Sequence, residues 1–136
     1  MQIRLGMTSF VALLLLTGCG SSNSMTSRKL TAITVSPAAA SGSSAGAAVQ
    51  FTATGHWSAA PTTTTPFAAN WVVCQNNMPV TDVTVSTSGF ATCGTGAKGV
   101  YDVNAWSWPI GEGSCLAISA CGGGCTIEGS AELTCQ

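Results

Sequence analysis

Short runs of alternating apolar and polar residues recur along this chain of 136 residues, and they constrain its fold more than any other feature. Ile33 and Val35 alternate with polar neighbours, and so do Val49, Phe51 and Ala53 further along. A period of two residues over such short runs is typical of strands that bury one face. We therefore predict strands whose apolar side chains all point into one core.

The same rhythm continues to the end of the chain, interrupted by turn residues. The segment 61–66 (PTTTTP) is expected to be a loop, and Ser88-Gly89 is a turn signal. No helical period occurs beyond the first residues, so we predict six or seven strands in a two-sheet antiparallel β-sandwich. The later side chains expected to face inward are Ala69, Trp71, Val73, Val83, Val85, Tyr101, Val103, Ala105, Ile127, Ala131 and Leu133.

The composition excludes some classes of protein. Charged residues make up 7% of the chain and apolar residues 46%, which is unlike a disordered segment. The formal net charge is −1 and no basic cluster is present, which argues against a nucleic-acid partner.

The N-terminus has the pattern of a targeting segment. Arg4 precedes the apolar run 10–16 (FVALLLL), which is shorter than the 20 or so residues that cross a bilayer. The run ends in Leu16-Thr17-Gly18-Cys19, which resembles the lipobox of bacterial lipoproteins. The resemblance implies cleavage before Cys19, a diacylglycerol on its sulfur and an acyl chain such as palmitate on its amino group. The alternative is an ordinary secretory signal with a chance cysteine.

This resemblance divides the chain into a signal peptide (1–18), a lipidated flexible tether (19–29) and a folded domain (30–136). Gly20 replaces the aspartate that retains such lipoproteins in the inner membrane. We therefore expect an exported protein anchored through Cys19, with the outer membrane as its default location. Two basic residues, Arg28 and Lys29, lie at the end of the tether, where they could touch anionic headgroups but more simply remain solvated.

The number of cysteines agrees with the lipobox. Seven is odd for an exported chain, and assigning Cys19 to lipid leaves six. In an oxidising compartment six cysteines suggest three disulfides, for which 15 pairings exist. The six are Cys74, Cys93, Cys115, Cys121, Cys125 and Cys135.

Six segments together resemble the bacterial immunoglobulin-like domain of group 2, the BIG2 type. They read ITVSP, a following glycine, VQFTATGHWS, NWVV, VSTSGFATC and GVYDVNAW, and cover Leu30 to about Trp106. The resemblance implies an immunoglobulin-like sandwich in which Trp71 is the buried tryptophan and Tyr101 takes the place of the tyrosine corner. The common inter-sheet disulfide would be absent, because Val103 stands where its second cysteine falls.

The chain departs from that family in the lengthened loop 61–66 and in an inserted Cys- and Gly-rich segment at 109–125 (PIGEGSCLAISACGGGC). An insertion so rich in glycine needs clamping. We expect Cys74 to pair with Cys93 in the body of the sandwich, and two further disulfides among the last four cysteines. A four-thiolate zinc site at those four is the alternative, disfavoured by an oxidising compartment.

Candidate catalytic residues are few. His56 is the only histidine, and a catalytic triad would need a serine and a carboxylate aimed at it. The carboxylates are Asp82, Asp102, Glu112, Glu128 and Glu132. Glu128 and Glu132 are four residues apart on one strand, about 13 Å, which is wider than a glycosidase pair. We predict no catalysis, no cofactor and no bound metal.

Trp106 and Trp108 are the most suggestive residues for binding. The phase of the strand through Tyr101 and Val103 puts both tryptophans on its polar side. They could form a platform for a sugar ring or peptide, or the insertion could fold over and bury them. We favour burial, because the insertion must rest on something apolar.

These features predict a structural or adhesive lipoprotein of the cell envelope, with a single domain that contacts an unidentified protein or glycan. The alternative is a carbohydrate-binding module that uses Trp106 and Trp108. A small enzyme is disfavoured because the sequence shows no converging polar set.

Overall fold

A computed structural model describes residues 27–43, 46–108, 120–122, 124 and 126–136. Within these ranges the secondary structure is all β, without a helix. The strands are β1 (Leu30–Ser36), β2 (Ala39–Gly42), β3 (Ala48–Gln50), β4 (Thr52–Trp57), β5 (Thr63–Thr64), β6 (Asn70–Gln75), β7 (Met78–Pro79), β8 (Val83–Val85), β9 (Phe90–Cys93), β10 (Gly99–Ser107) and β11 (Ile127–Cys135).

The strands form a sandwich-like arrangement around one core. A five-stranded sheet has the order β2-β11-β10-β6-β7. Two three-stranded sheets, β1-β4-β5 and β3-β9-β8, are linked through Phe51, which alone separates β3 from β4. Side chains from all three sheets meet in one apolar cluster that includes Ile33, Phe51, Ala91, Val103 and Leu133. The prediction of an all-β fold is therefore confirmed.

The predicted alternation is also confirmed along the longest strands. Tyr101, Val103 and Ala105 of β10 are buried in the core, and so are Ala131 and Leu133 of β11. These two strands pair antiparallel over their whole length, from Gly99 opposite Cys135 to Ser107 opposite Ile127. Their pairing forms the centre of the five-stranded sheet.

One pairing differs from the expected antiparallel pattern. Strand β2 runs parallel to β11, with Ala39 opposite Glu132. The chain leaves β1 after Ser36 and passes Pro37, whose ring nitrogen has no hydrogen to donate to a ladder. It then crosses to the other sheet, where Ala38 O accepts a hydrogen bond from Glu132 N at 2.9 Å.

The loop predicted at 61–66 contains a short strand, which the sequence pattern did not show. Thr63 and Thr64 form β5 and pair with His56 and Gly55 at the edge of β4. Phe67, just after the loop, packs its ring edge-on against Trp57, with ring centres 6.0 Å apart. The loop therefore closes one end of the core.

Candidate functional site

The structure contains two disulfides among the described residues, and their pairing corrects our expectation. Cys74 bonds Cys121, and Cys93 bonds Cys135, so the predicted Cys74–Cys93 pair is wrong. Strand alternation explains the error. Val73 faces the core, so Cys74 faces away from it, whereas Cys93 is buried in the core beside Ala91. Two cysteines whose Cβ atoms point away from each other cannot be bridged.

The Cys93–Cys135 disulfide joins β9 to β11 and so links two sheets across the core. Because Cys121 and Cys135 are each bonded to another cysteine, they cannot act as thiolate ligands in the four-cysteine zinc site considered above. Cys19, Cys115 and Cys125 lie outside the described residues, as does Glu112.

The Cys74–Cys121 disulfide holds the end of the insertion against the outer face of the five-stranded sheet, the face opposite the core. Asn104 lies on this face, yet only 6% of its surface is exposed. Its Nδ2 donates to Ala120 O at 2.9 Å, while its Oδ1 has no hydrogen-bond partner. Residues 120–121 therefore cover part of the sheet that alternation alone assigns to solvent.

Trp106 lies further along β10 and Trp108 follows the last residue of that strand, and the structure does not bury both. Trp108 is 43% exposed, and Trp106 is half-buried. Their rings meet edge to face, with centres 5.6 Å apart and planes at 78°. Such a pair offers one indole face beside the edge of another, which is a corner rather than a flat two-ring platform.

Three of the candidate carboxylates lie near each other: Asp102 of β10 is opposite Glu132 of β11, and Asp102 and Glu128 line one open cleft on the outer face of the five-stranded sheet. The only histidine and Asp82 lie elsewhere in the described part of the chain. His56 Nε2 lies 3.1 Å from Thr34 Oγ1 on the exposed face of β1 and β4. Asp82 accepts a hydrogen bond from Tyr101, and Glu132 points to solvent. No group of three or more histidine, cysteine or carboxylate side chains is placed to hold a metal ion within these ranges.

Trp71 departs from its predicted role. It lies on the inner face of β6, opposite Ala105, and contacts the core, but it is only half-buried. Its other side lines an open cleft of about 510 Å³ between the β3–β4 junction, residues 66–68 and the turn at 87–88. Sequence reasoning missed this cleft. The only hint was the position of Trp71 directly after a long loop, at the end of the sandwich.

Arg28 and Lys29 make contacts that the sequence did not predict. The Arg28 guanidinium lies over the Trp57 ring, 4.3 Å from its centre, and donates to the carbonyls of Ala59 and Pro61. Lys29 N donates to Ser58 Oγ at 3.0 Å, and Ser58 N donates to Lys29 O at 2.9 Å. Both residues at the start of the domain therefore contact the 58–66 segment, which follows β4.

No protein-family model matches this chain, and no curated protein is significantly similar to it. The resemblance to the bacterial immunoglobulin-like family therefore rests on the sequence segments given above. Among the described residues, no helix is long and apolar enough to cross a bilayer.

Proposed function

We propose that this protein is an exported, lipid-anchored envelope protein whose single immunoglobulin-like domain acts as a binding or adhesive module. Its anchor is the lipid on Cys19, its default location is the outer membrane, and its partner is an envelope protein or glycan. The module carries out no reaction of its own.

The observation that carries this proposal is the pair of disulfides, Cys74–Cys121 and Cys93–Cys135. Structural disulfides form and persist in oxidising compartments and are rare in the bacterial cytosol. The apolar run 10–16 is the signal to leave the cytosol, and the Leu16-Thr17-Gly18-Cys19 pattern that ends it supplies the cysteine to carry the lipid. The proposal therefore has both requirements of a lipoprotein.

The strand order supports the immunoglobulin-like assignment. In that fold the central strands of one sheet pair antiparallel and an N-terminal strand changes from one sheet to the other, as β10, β11 and β2 do here. The Tyr101 hydroxyl also lies 3.5 Å from Lys98 O, three residues upstream. A hydroxyl bonded to backbone a few residues upstream is a feature of the tyrosine corner.

The contacts of Arg28 suggest how the domain is presented. Nine residues, 19–27, separate the proposed lipid on Cys19 from Arg28, and the tether hypothesis gives a linker of this length a root-mean-square reach of about 15–18 Å. The lipid then holds the 58–66 loop toward the membrane, close to its surface. The opposite end of the sandwich faces outward.

An intact mass measurement tests this proposal directly. We expect the mature protein to begin at Cys19, to carry the mass of a diacylglycerol and an acyl chain, and to lack six hydrogens. Cys19→Ala should remain unprocessed and unlipidated. A processed protein without lipid, or one with free thiols, would contradict the proposal.

Trp106 and Trp108 support the second candidate function, a carbohydrate-binding module. The observation that favours it is the exposed face of Trp108. The test is the double substitution W106A/W108A, assayed on a glycan array and by thermal melting. Lost glycan capture with unchanged melting would support this function, whereas unchanged capture, or capture lost only together with a large drop in melting temperature, would count against it.

A further inference from the structure

The cleft beside Trp71 is an open concavity with a largely apolar lining. At about 510 Å³ it falls within the range of small-molecule sites in proteins. It forms where the strand that continues from β3 to β4 turns at Phe51, whose N–H donates to Gly89 O at 2.8 Å rather than to a ladder partner. Beside this junction Trp71, at the start of β6, is only half-buried, whereas Val73 on the same side of the strand is buried.

The apolar part of the cleft lining includes two large aromatic side chains. Trp71 and Phe67 are both half-buried, and both line the cleft. Gly89 packs closely against the Trp71 indole. A Cβ atom added to Gly89 would lie 3.0 Å from Trp71 Cζ2 and 2.3 Å from Phe51 O. The indole is therefore packed against backbone on one side while its other side remains available.

The rest of the lining is uncharged and combines polar residues with the apolar Phe51, Ala53, Pro66 and Ala68. Four of its residues carry a side-chain hydroxyl or amide, namely Gln50, Thr52, Thr87 and Ser88. Gln50 Nε2 donates to Ser88 O at 2.9 Å, which fixes the rim on that side. No acidic or basic side chain and no histidine is among the lining residues that the structure describes.

From this lining we infer that the cleft binds a neutral sugar ring, stacked on Trp71 with its hydroxyls toward the polar rim. This inference deepens the proposed function, because it names the partner class and moves the site from Trp106 and Trp108 to Trp71. A pyranose has apolar C–H faces and a polar edge, which matches an aromatic wall with a hydroxyl rim. A purely apolar side chain would leave the rim groups without hydrogen bonds, and a charged glycan would gain no countercharge.

The test uses the processed, oxidised protein, uniformly labelled with ¹⁵N, in a detergent without a sugar headgroup. The probes are four neutral disaccharides: cellobiose, maltose, lactose and chitobiose. We expect at least one of them to shift the Trp71 indole N–H resonance and the amides of residues 50–53 and 87–89 in a saturable titration. An anionic hyaluronan fragment should leave these resonances unchanged.

Two variants and a matched control locate the site. Ala68→Trp places a large ring in the cleft from an exposed position and should abolish the shifts. Thr52→Val retains the side-chain shape and should weaken binding about tenfold, the equivalent of one hydrogen bond. The control is Ala39→Trp, the same change at an exposed alanine of β2, which two strands separate from β6 in the five-stranded sheet.

The outcomes separate this inference from the proposed function. Resonance shifts confined to Trp106 and Trp108 would refute binding in the cleft and favour the second candidate site. If no neutral disaccharide shifts any of these resonances, the inference of a sugar site in the cleft is also overturned. That result leaves lipid anchoring unaffected, because the mass of the intact mature protein tests the anchor separately. Binding that survives Ala68→Trp would equally refute the cleft.

Discussion

The hydroxyl of Tyr101 donates a hydrogen bond to Asp82 Oδ2 at 2.7 Å, and this contact ties the central strand β10 to the segment that leads into β8. The Tyr101 ring is buried in the core, whereas Asp82 is exposed. The hydrogen bond to Asp82, and then burial, raises the pKa of the Tyr101 hydroxyl above its ordinary value. The contact with Asp82 therefore couples the position of the Tyr101 ring in the core to the protonation of its hydroxyl.

Tyr101→Phe should destabilise the domain by about 1–2 kcal/mol at neutral pH, because it removes a hydrogen bond to a carboxylate at the edge of the core. Urea unfolding of the oxidised protein measures this change. Asp82→Asn is the control, since an amide oxygen still accepts the bond, and it should cost less. Equal stability of Tyr101→Phe and the native protein would contradict the role given to this contact.

The pH dependence of stability follows from the same hydroxyl. A tyrosine whose pKa is raised in the folded state contributes stability that is complete below the unfolded pKa, about 10, and is lost as pH rises through the folded pKa. The native protein should therefore lose stability above about pH 10 more steeply than Tyr101→Phe. Unfolding measured from pH 8 to 11 tests this, and parallel curves would count against it.

The two disulfides should contribute unequally to the stability of the sandwich. They enclose similar loops, with sequence separations of 42 and 47 residues, so the entropic contribution of each is about 4 kcal/mol. All four cysteines are buried, but only Cys93 and Cys135 belong to the main core cluster, so C93A/C135A leaves its cavity in the centre of the core. Its melting temperature should therefore fall further than that of C74A/C121A.

The double variant C74A/C121A should instead affect mainly the outer face of the five-stranded sheet. Without the disulfide, residues 120–121 lose their covalent bond to β6 and keep the hydrogen bond from Asn104 to Ala120. Hydrogen exchange at the Asn104 side-chain amide should then accelerate, with little change at Val103. Protection that is unchanged at Asn104 would show that the insertion is held by other contacts.

Peptide mapping without reduction should yield three linked pairs. The structure assigns Cys74–Cys121 and Cys93–Cys135, and with Cys19 lipidated as proposed, Cys115 and Cys125 remain to form the third pair. A Cys115 or Cys125 that reacts with a thiol reagent in the intact protein would contradict the third pair. A peptide linking Cys74 to Cys93 would contradict the structure.

Arg28→Lys should weaken the contacts between the start of the domain and residues 58–66, the segment that follows β4 and includes β5. Lysine retains the charge but lacks the planar guanidinium, which lies over Trp57 and donates to two carbonyls of the loop. We expect a loss of about 1 kcal/mol, the size of an exposed cation–π contact with its hydrogen bonds. Faster amide exchange at Trp57 and Ser58 would accompany it, and exchange unchanged from the native protein would contradict the contact.

Local pattern was sufficient to predict the all-β fold and the inward faces of its main strands. The alternation of Tyr101, Val103 and Ala105 follows from the geometry of an extended chain, in which successive side chains point to opposite sides. It needs no knowledge of distant residues. The same alternation, applied strictly, would also have separated Cys74 from Cys93.

Long-range packing decided the rest. The sequence alone could not show that residues 120–121 return to cover Asn104, that the loop after β4 places Phe67 against Trp57, or that Trp71 is left beside an open cleft. Each of these depends on which distant segments meet in space, and many such arrangements satisfy one alternating pattern. The sequence therefore determined which side chains prefer the interior, and only the tertiary structure decided which of the remaining surfaces are covered and which stay open to bind.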